Sequence, residues 1–317
     1  MLKGIGKSHG KTIIMGEHAV VYGYPAFAIP LLSTPVIVKM NQSLKENTLI
    51  SKYYAGKIAK IPDSLSGVQY LIKLLDADLN ESKVNYAISI DSGLPIERGM
   101  GSSAAIAAAL TRAFFDFFDK PLNHQTLLDY VNKSETVTHG KASGLDALTV
   151  SSEYPIKFGK DDAPKPFSFN SDGFIVIADS GVKGRTKETV ADVRKMYDTD
   201  REKIGAYLKQ LGDYASDASN YLIQGNLKKL GLVFSLANEI LTKLDLAIPK
   251  TDKLIDAANN AGSLGSKITG GGRGGCIICL ARNLKNAQMI QKALIKSGAE
   301  QTWIQPLSIY AEDSDID

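Results

Sequence analysis

In the stretch Leu94-Pro95-Ile96-Glu97-Arg98-Gly99-Met100-Gly101-Ser102-Ser103-Ala104-Ala105, residue types and spacing suit the binding of an anion. Gly99 and Gly101 let the backbone turn tightly and approach a ligand closely, and the run Ile106 to Leu110 beyond them is a strong helix former. A glycine loop that opens onto a helix N-terminus presents free N–H groups and the positive end of the helix dipole, which favours phosphate. The hydroxyls of Ser102 and Ser103 can hydrogen-bond that phosphate or ligate an Mg²⁺ bound to it. The competing reading is a plain glycine turn with Ser102 or Ser103 as an N-cap. A dinucleotide fingerprint, Gly99-x-Gly101-x-x-Ala104 with Asp119 twenty residues after Gly99, is also present. It fails on context: seven residues, Ser92 to Arg98, separate the loop from the strand Tyr86 to Asp91, and Asp119 follows Phe-Phe-Asp-Phe-Phe.

A second constellation runs from Asn132 to Ala147. Glu135 falls late in one helix and Asp146 at the start of the next, joined by a Gly/Ser/Lys loop. That arrangement can bring two carboxylates toward one point in different surroundings. Phosphoryl transfer asks for such a pair, one group holding Mg²⁺ and the other orienting or deprotonating the attacking hydroxyl. Taken singly, Glu135 reads as a solvated helix residue and Asp146 as a helix cap. Glu135 and His139, four apart, can share a helix face, and His139 reads as solvated rather than as a metal ligand.

Near the N-terminus, Gly6-Lys7-Ser8 and Gly10-Lys11-Thr12 approach a Walker loop, but the glycine it needs five positions earlier is replaced by Met1 and Ile5. Lys11 leads into the strand Thr12 to Met15 rather than a helix, which excludes a P-loop NTPase. What remains is a lysine beside a strand, followed by the titratable pair Glu17-His18 among apolar residues, a candidate site. Cys276 and Cys279 form a C-x-x-C on a strand, where positions three apart face opposite ways, so they read as small buried apolar residues.

The elements that must position these groups follow from periodicity. Ala26 to Met40 reads as strands broken by Pro30 and Pro35, and Asn41 to Lys60 as a hairpin or excursion. Helices are expected over Ser64 to Ala77, Ser102 to Phe118 and, started by Asn123, Gln125 to Thr138. Ser152 to Asn170, polar and carrying Pro155, Pro164 and Pro166, suits an interdomain crossing. Beyond it come a core strand, Phe174 to Asp179, and helices over Thr186 to Tyr197, Glu202 to Gly225, Leu227 to Leu244 and Thr251 to Ala261. The second glycine loop, Lys267 to Gly275, feeds the strand Cys276 to Leu280, and helix Leu284 to Lys296 and strand Thr302 to Ile309 complete an α+β chain. The acidic tail Glu312 to Asp317 is expected to fray.

Composition narrows the function classes. With 317 residues, 44% hydrophobic and 22% charged, the chain has core enough for two domains or one large one. The net charge of +3 is spread along the sequence, which gives no footprint for nucleic acid. No apolar run approaches the ~20 residues of a membrane helix, and the N-terminus lacks an apolar leader core, so the expectation is a cytoplasmic protein away from membranes. Oligomeric state stays open, a homodimer included.

Three ordered segments carry a resemblance: Gly10-Lys11 with Gly16-Glu17-His18-Ala19-Val20-Val21-Tyr22-Gly23, then Pro95-x-x-x-Gly99-Met100-Gly101-Ser102-Ser103-Ala104, then Lys267-Ile268-Thr269-Gly270-Gly271-Gly272-x-Gly274-Gly275-Cys276. They resemble the three motifs of the GHMP kinases. Within that superfamily the first segment is similar to the mevalonate kinases, whereas galactokinases carry Gly-Glu-His-Thr-Asp in its place. The resemblance implies a two-domain fold, residues 1–170 like ribosomal protein S5 domain 2 and residues 171–317 ferredoxin-like, with ATP and substrate in the cleft between them. It implies transfer of the ATP γ-phosphoryl group to the 5-hydroxyl of mevalonate. By motif position, Asp146 resembles the catalytic base and Lys11 the cation that stabilises developing charge. Ser103, chosen over Ser102, and Glu135 resemble the Mg²⁺ ligands. The loop from Pro95 through Gly99, Met100, Gly101, Ser102 and Ser103 to Ala104 would wrap the triphosphate. Glu17, His18, Thr186, Gly270 and Gly271 would lie on the substrate side, where a cationic or hydrogen-bonding histidine suits a carboxylate. Arg273 departs from the family's third glycine run. Two alternatives stay open: a sister enzyme such as phosphomevalonate kinase, which should show extra basic residues, and a catalytically silent sensor, against which Lys11, Glu135 and Asp146 together argue.

Overall fold

A computed structural model of the chain describes residues 2–140, 144–159 and 163–311. The loop residues 141–143 and the acidic tail 312–317 lie outside the described residues. In chain order the first elements are β1 (Lys3–Met15), β2 (Ala26–Ser43), β3 (Thr48–Ile50), β4 (Ala55–Lys57), α1 (Ser66–Leu79), β5 (Asn85–Ser92), α2 (Ser102–Phe117), α3 (His124–His139) and α4 (Leu145–Val150). They are followed by β6 (Ile156–Phe158), β7 (Lys165–Pro166), β8 (Phe174–Asp179), α5 (Thr186–Thr199), α6 (Arg201–Ile223), α7 (Leu227–Lys243), α8 (Pro249–Asn260), β9 (Gly265–Ile268), β10 (Cys276–Ala281), α9 (Leu284–Lys296) and β11 (Gln301–Pro306).

The chain forms two compact units that are discontinuous in sequence. The first holds the chain up to Lys11, then Thr34–Ile96 and Gly101–Ser151; the second holds Thr12–Ser33, Glu97–Met100 and the chain from Ser152 onward.

In the first unit, β2 pairs antiparallel with β5 from Val36↔Ser92 to Ser43↔Asn85, β5 pairs parallel with β3, and β4 closes a hairpin on β3. The alanine run of α2 has a packing reason. A Cβ on Gly6 of β1 would come within 1.8 Å of the Ala109 carbonyl oxygen, so strand and helix approach as only small residues allow. Tyr86, buried on β5, meets the Phe114 ring edge-on at 5.3 Å. α1, α2 and α3 pack against one another around this core.

In the second unit the sheet order is β11-β8-β10-β9, all antiparallel, with Asp179 of β8 opposite both Cys276 and Gln301. α8 and α9 pack on it, and β10 is buried along its whole length. Cys276 and Cys279 are free, buried thiols, and burial pushes the Cys279 thiol up to about 12. The α+β expectation is met, with two sheets.

Two local expectations are revised. Ala26–Ser43 is one strand, because Pro30 and Pro35 fall between the residues paired with β6 (Ala26–Ala28) and those paired with β5, so neither ladder loses a donor. β9 had no signal of its own; Gly-Ser-Lys-Ile is too short and mixed to read as a strand, and it is fully buried. Among the described residues no helix is long and apolar enough to cross a membrane.

Candidate active site

In the first unit, α2 begins at Ser102 with Gly101 as its N-cap at φ 69°, and no side chain caps the first turn. Neither serine is therefore an ordinary N-cap, and the first N–H groups of the helix are left for a ligand. A Cβ on Gly101 would stand 2.8 Å from Lys11 Cγ. The missing side chain is what lets Lys11 lie against the loop.

Lys11 Nζ stands 3.0 Å from Asp146 Oδ1, with side-chain exposures of 5% and 32%. A buried cation thus holds a carboxylate that keeps one side in reach of solvent or substrate. Asp146 sits in the first turn of α4, whose N-cap is Gly144, so it is not the cap. Glu135, on the inward face of α3, is buried rather than solvated. Burial raises its pKa, and the neighbouring Asp146 carboxylate adds to that, while the Ser103 hydroxyl, His139 and Lys11 act in the opposite sense. His139 Nε2 lies 3.7 Å from Glu135 Oε2 and 3.4 Å from Ser103 Oγ, and the ring is half exposed. Glu135 Oε1 and Ser102 Oγ are buried without a hydrogen-bond partner among the described residues.

Those orphaned oxygens test whether Mg²⁺ fits. A buried carboxylate oxygen with the Ser103 hydroxyl beside the same carboxyl group offers hard oxygen donors, and Mg²⁺ takes few protein ligands together with phosphate and water oxygens. The donor set fits, and it joins residues from α2 and α3, as the motif resemblance implied. Met100 and Ala104 are buried, so the loop offers backbone rather than side chains at these positions. A small apolar pocket in the same unit is lined by Leu49, Tyr53, Ile90, Ile96 and Ile106.

The second unit brings together the other motif residues. Glu17 and Lys267 form a fully buried ion pair joining the turn after β1 to β9. His18, at φ 60°, has Nε2 2.9 Å from the Gly271 carbonyl oxygen. Burial lowers the His18 pKa, so the ring is neutral, with Nε2–H donating and Nδ1 able to accept. Thr186 packs directly on Gly271, leaving no room there for a side chain, and Gly270 faces Gly99. Arg273, at φ 51°, turns its guanidinium onto Asp192 at 2.5 Å and Asp245 at 2.7 Å. It is a staple of the glycine loop.

The GHMP kinases N terminal domain matches residues 67–153, and GHMP kinases C terminal matches residues 221–300. A mevalonate kinase of Pyrococcus horikoshii is 32% identical over 298 residues, covering 87% of this chain and 88% of that protein. The chain belongs to the GHMP kinase family. Among solved structures, a mevalonate kinase from methicillin-resistant Staphylococcus aureus is similar to this GHMP kinase with a TM-score of 0.80 at 30% identity, covering 97% of this chain and 100% of that one. An L. major mevalonate kinase in complex with R-mevalonate shares the fold, with a TM-score of 0.84 at 24% identity over 96% of each chain.

Lys267, Arg98 and Asp179 of this GHMP kinase were not singled out by sequence. Lys267 carried a faint signal, a charge between Ser266 and Ile268 ahead of a glycine loop. The partners of Arg98 and Asp179 are 81 positions apart, which no local pattern reveals.

Proposed function

We propose that this chain is an ATP-dependent mevalonate kinase that transfers the γ-phosphoryl group to the 5-hydroxyl of mevalonate. The observation that carries the chemistry is the convergence of Lys11, Asp146, Glu135 and Ser103 beside the uncapped start of α2. Likeness to mevalonate kinases along nearly the whole chain supports the acceptor. Residues 1–170 then serve as the nucleotide-binding domain and 171–317 as its C-terminal partner domain.

Asp146 takes the proton of the attacking hydroxyl, and Lys11, held 3.0 Å away, stabilises charge developing on the oxygen. The N–H groups at the start of α2 and the loop Pro95–Ala104 cradle the phosphates. Glu135 and Ser103 would hold Mg²⁺, which would supply charge neutralisation on the phosphates. Phosphoryl transfer asks chiefly for such positioning and neutralisation. On the substrate side, His18 Nδ1 accepts from a mevalonate hydroxyl, since its cationic form is disfavoured by burial. Glu17 sets the turn through Lys267, and Thr186, Gly270 and Gly271 close the pocket.

The test is ADP release with Mg-ATP and, separately, mevalonate, phosphomevalonate, galactose or homoserine. Turnover with mevalonate alone is expected. Turnover with another acceptor moves the substrate and keeps the mechanism, and none with any acceptor overturns the kinase reading.

A further inference from the structure

Arg98 lies in the middle of the glycine loop, where a cation invites assignment as a phosphate ligand. Its geometry points elsewhere. Arg98 Nε is 2.9 Å from Asp179 Oδ1 and Nη2 donates to the Gly181 carbonyl oxygen at 3.1 Å. The side chains are 14% and 2% exposed, so the pair is largely withdrawn from solvent. The same Asp179 oxygen also accepts from Gly181 N–H at 2.9 Å, which shapes the turn after β8. The backbone repeats the attachment: Gly184 N–H donates to the Glu97 carbonyl oxygen at 2.9 Å, and a Cβ on Gly275 would lie 3.0 Å from the Arg98 carbonyl oxygen. Glu97 itself is held at φ 59°, a conformation that a non-glycine residue keeps only when its surroundings fix it.

We infer that Arg98 is a positioning residue: with Asp179 it latches residues 97–100 of the glycine loop to the turn between β8 and α5, and acts on the nucleotide through the loop rather than by touching phosphate. The inference rests on the reading of this loop as the ATP-phosphate loop. The exposed Lys183–Glu97 pair, at 2.7 Å, adds little, because charges in water are screened and flexible. The Arg98–Asp179 pair differs in being desolvated, planar and shared with backbone groups. Losing it frees the loop to sample conformations that do not bind, so apparent ATP affinity falls by the fraction of time the loop is out of place.

The experiment measures KM for ATP, KM for mevalonate and kcat in Arg98→Ala, Arg98→Lys, Asp179→Asn and the Arg98→Ala/Asp179→Asn double variant, with direct ATP binding to the unaltered protein as reference. Asn keeps the oxygen that accepts from Gly181 and removes only the charge, so this variant should fold. Expected is a rise in KM for ATP of roughly tenfold in both Arg98→Ala and Asp179→Asn, worth about 1.4 kcal/mol, with kcat and KM for mevalonate nearly unchanged. The double variant should be no worse than Arg98→Ala alone, because the charge that Asp179→Asn removes acts through the contact that Arg98→Ala abolishes. Arg98→Lys should recover only part of the loss, lacking the planar fork. A normal KM for ATP in Asp179→Asn beside a raised one in Arg98→Ala overturns the latch and makes Arg98 a phosphate ligand. Additive effects in the double variant overturn it too. Failure of the unaltered protein to bind ATP instead overturns the reading of the loop itself.

Discussion

The Lys11–Asp146–Glu135 cluster and the Glu17–Lys267 cluster are both buried assemblies of charge, and they are finished differently. In the second unit a fully buried glutamate meets a fully buried lysine, and the histidine beside it is hydrogen-bonded to the Gly271 backbone. In the first unit Asp146 is one-third exposed, and Glu135 is buried with its pKa raised, chiefly by that burial. Charge closed off from solvent on every side fixes a shape. Charge left with one open side can meet a ligand.

The contrast can be broken first at Asp146. Asp146→Asn should lower kcat roughly 10²–10⁴-fold while leaving ATP binding largely intact, as measured by ADP release and by calorimetric ATP titration. Unchanged turnover would remove the base from the first cluster. The converse change is Lys267→Met, which strands the Glu17 carboxylate in the core and should cost about 3–5 kcal/mol of stability. Adding Glu17→Gln should restore most of the melting temperature, since a neutral pair replaces a stranded ion. A double variant as unstable as the single one would show that the pair is more than a scaffold.

Gly101→Ala disturbs the first cluster from the loop side. It forces a side chain onto φ 69° and against Lys11 Cγ. Turnover should fall roughly 10–100-fold through displacement of Lys11, with only a small loss of melting temperature; a normal kcat would show that Lys11 tolerates the shift. The smallest effect is a gain. Glu135 has its pKa raised in the folded protein, chiefly by burial, so its protonated form favours folding. That contribution is present at low pH and is lost as pH rises through the folded pKa, above which the ionised carboxylate destabilises the ligand-free protein. Glu135→Gln should therefore stabilise the ligand-free protein near pH 7.5 by on the order of 1 kcal/mol, about 2 °C in melting temperature, while Mg²⁺-dependent turnover collapses. The thermal advantage should shrink on acidification; a constant or inverted difference would contradict the burial argument.

Much of this was legible along the chain. Asn123 as a helix start is borne out, its side chain accepting from Thr126 N–H at the head of α3. α9 matches its apolar periodicity from Leu284 to Lys296. Ser102, Ser103, Glu135 and Asp146 stand out as candidates in the sequence because glycine turns and helix ends leave local marks in residue type and spacing. β2 was misread as broken, because whether Pro30 and Pro35 interrupt a strand depends on which of its neighbours is paired at those positions.

The kinase motifs, the helices that carry them and the failure of the Walker pattern are written locally in the chain, since each depends on groups a few residues apart. Tertiary structure alone decided the state of those groups. Lys267 finds Glu17 across 250 positions, and Arg98 finds Asp179 across 81. Glu135 is buried while His139, one turn later on α3, stays half exposed. Burial and charge pairing depend on distances in space, and for residues so far apart in the chain those distances exist only once the fold has formed.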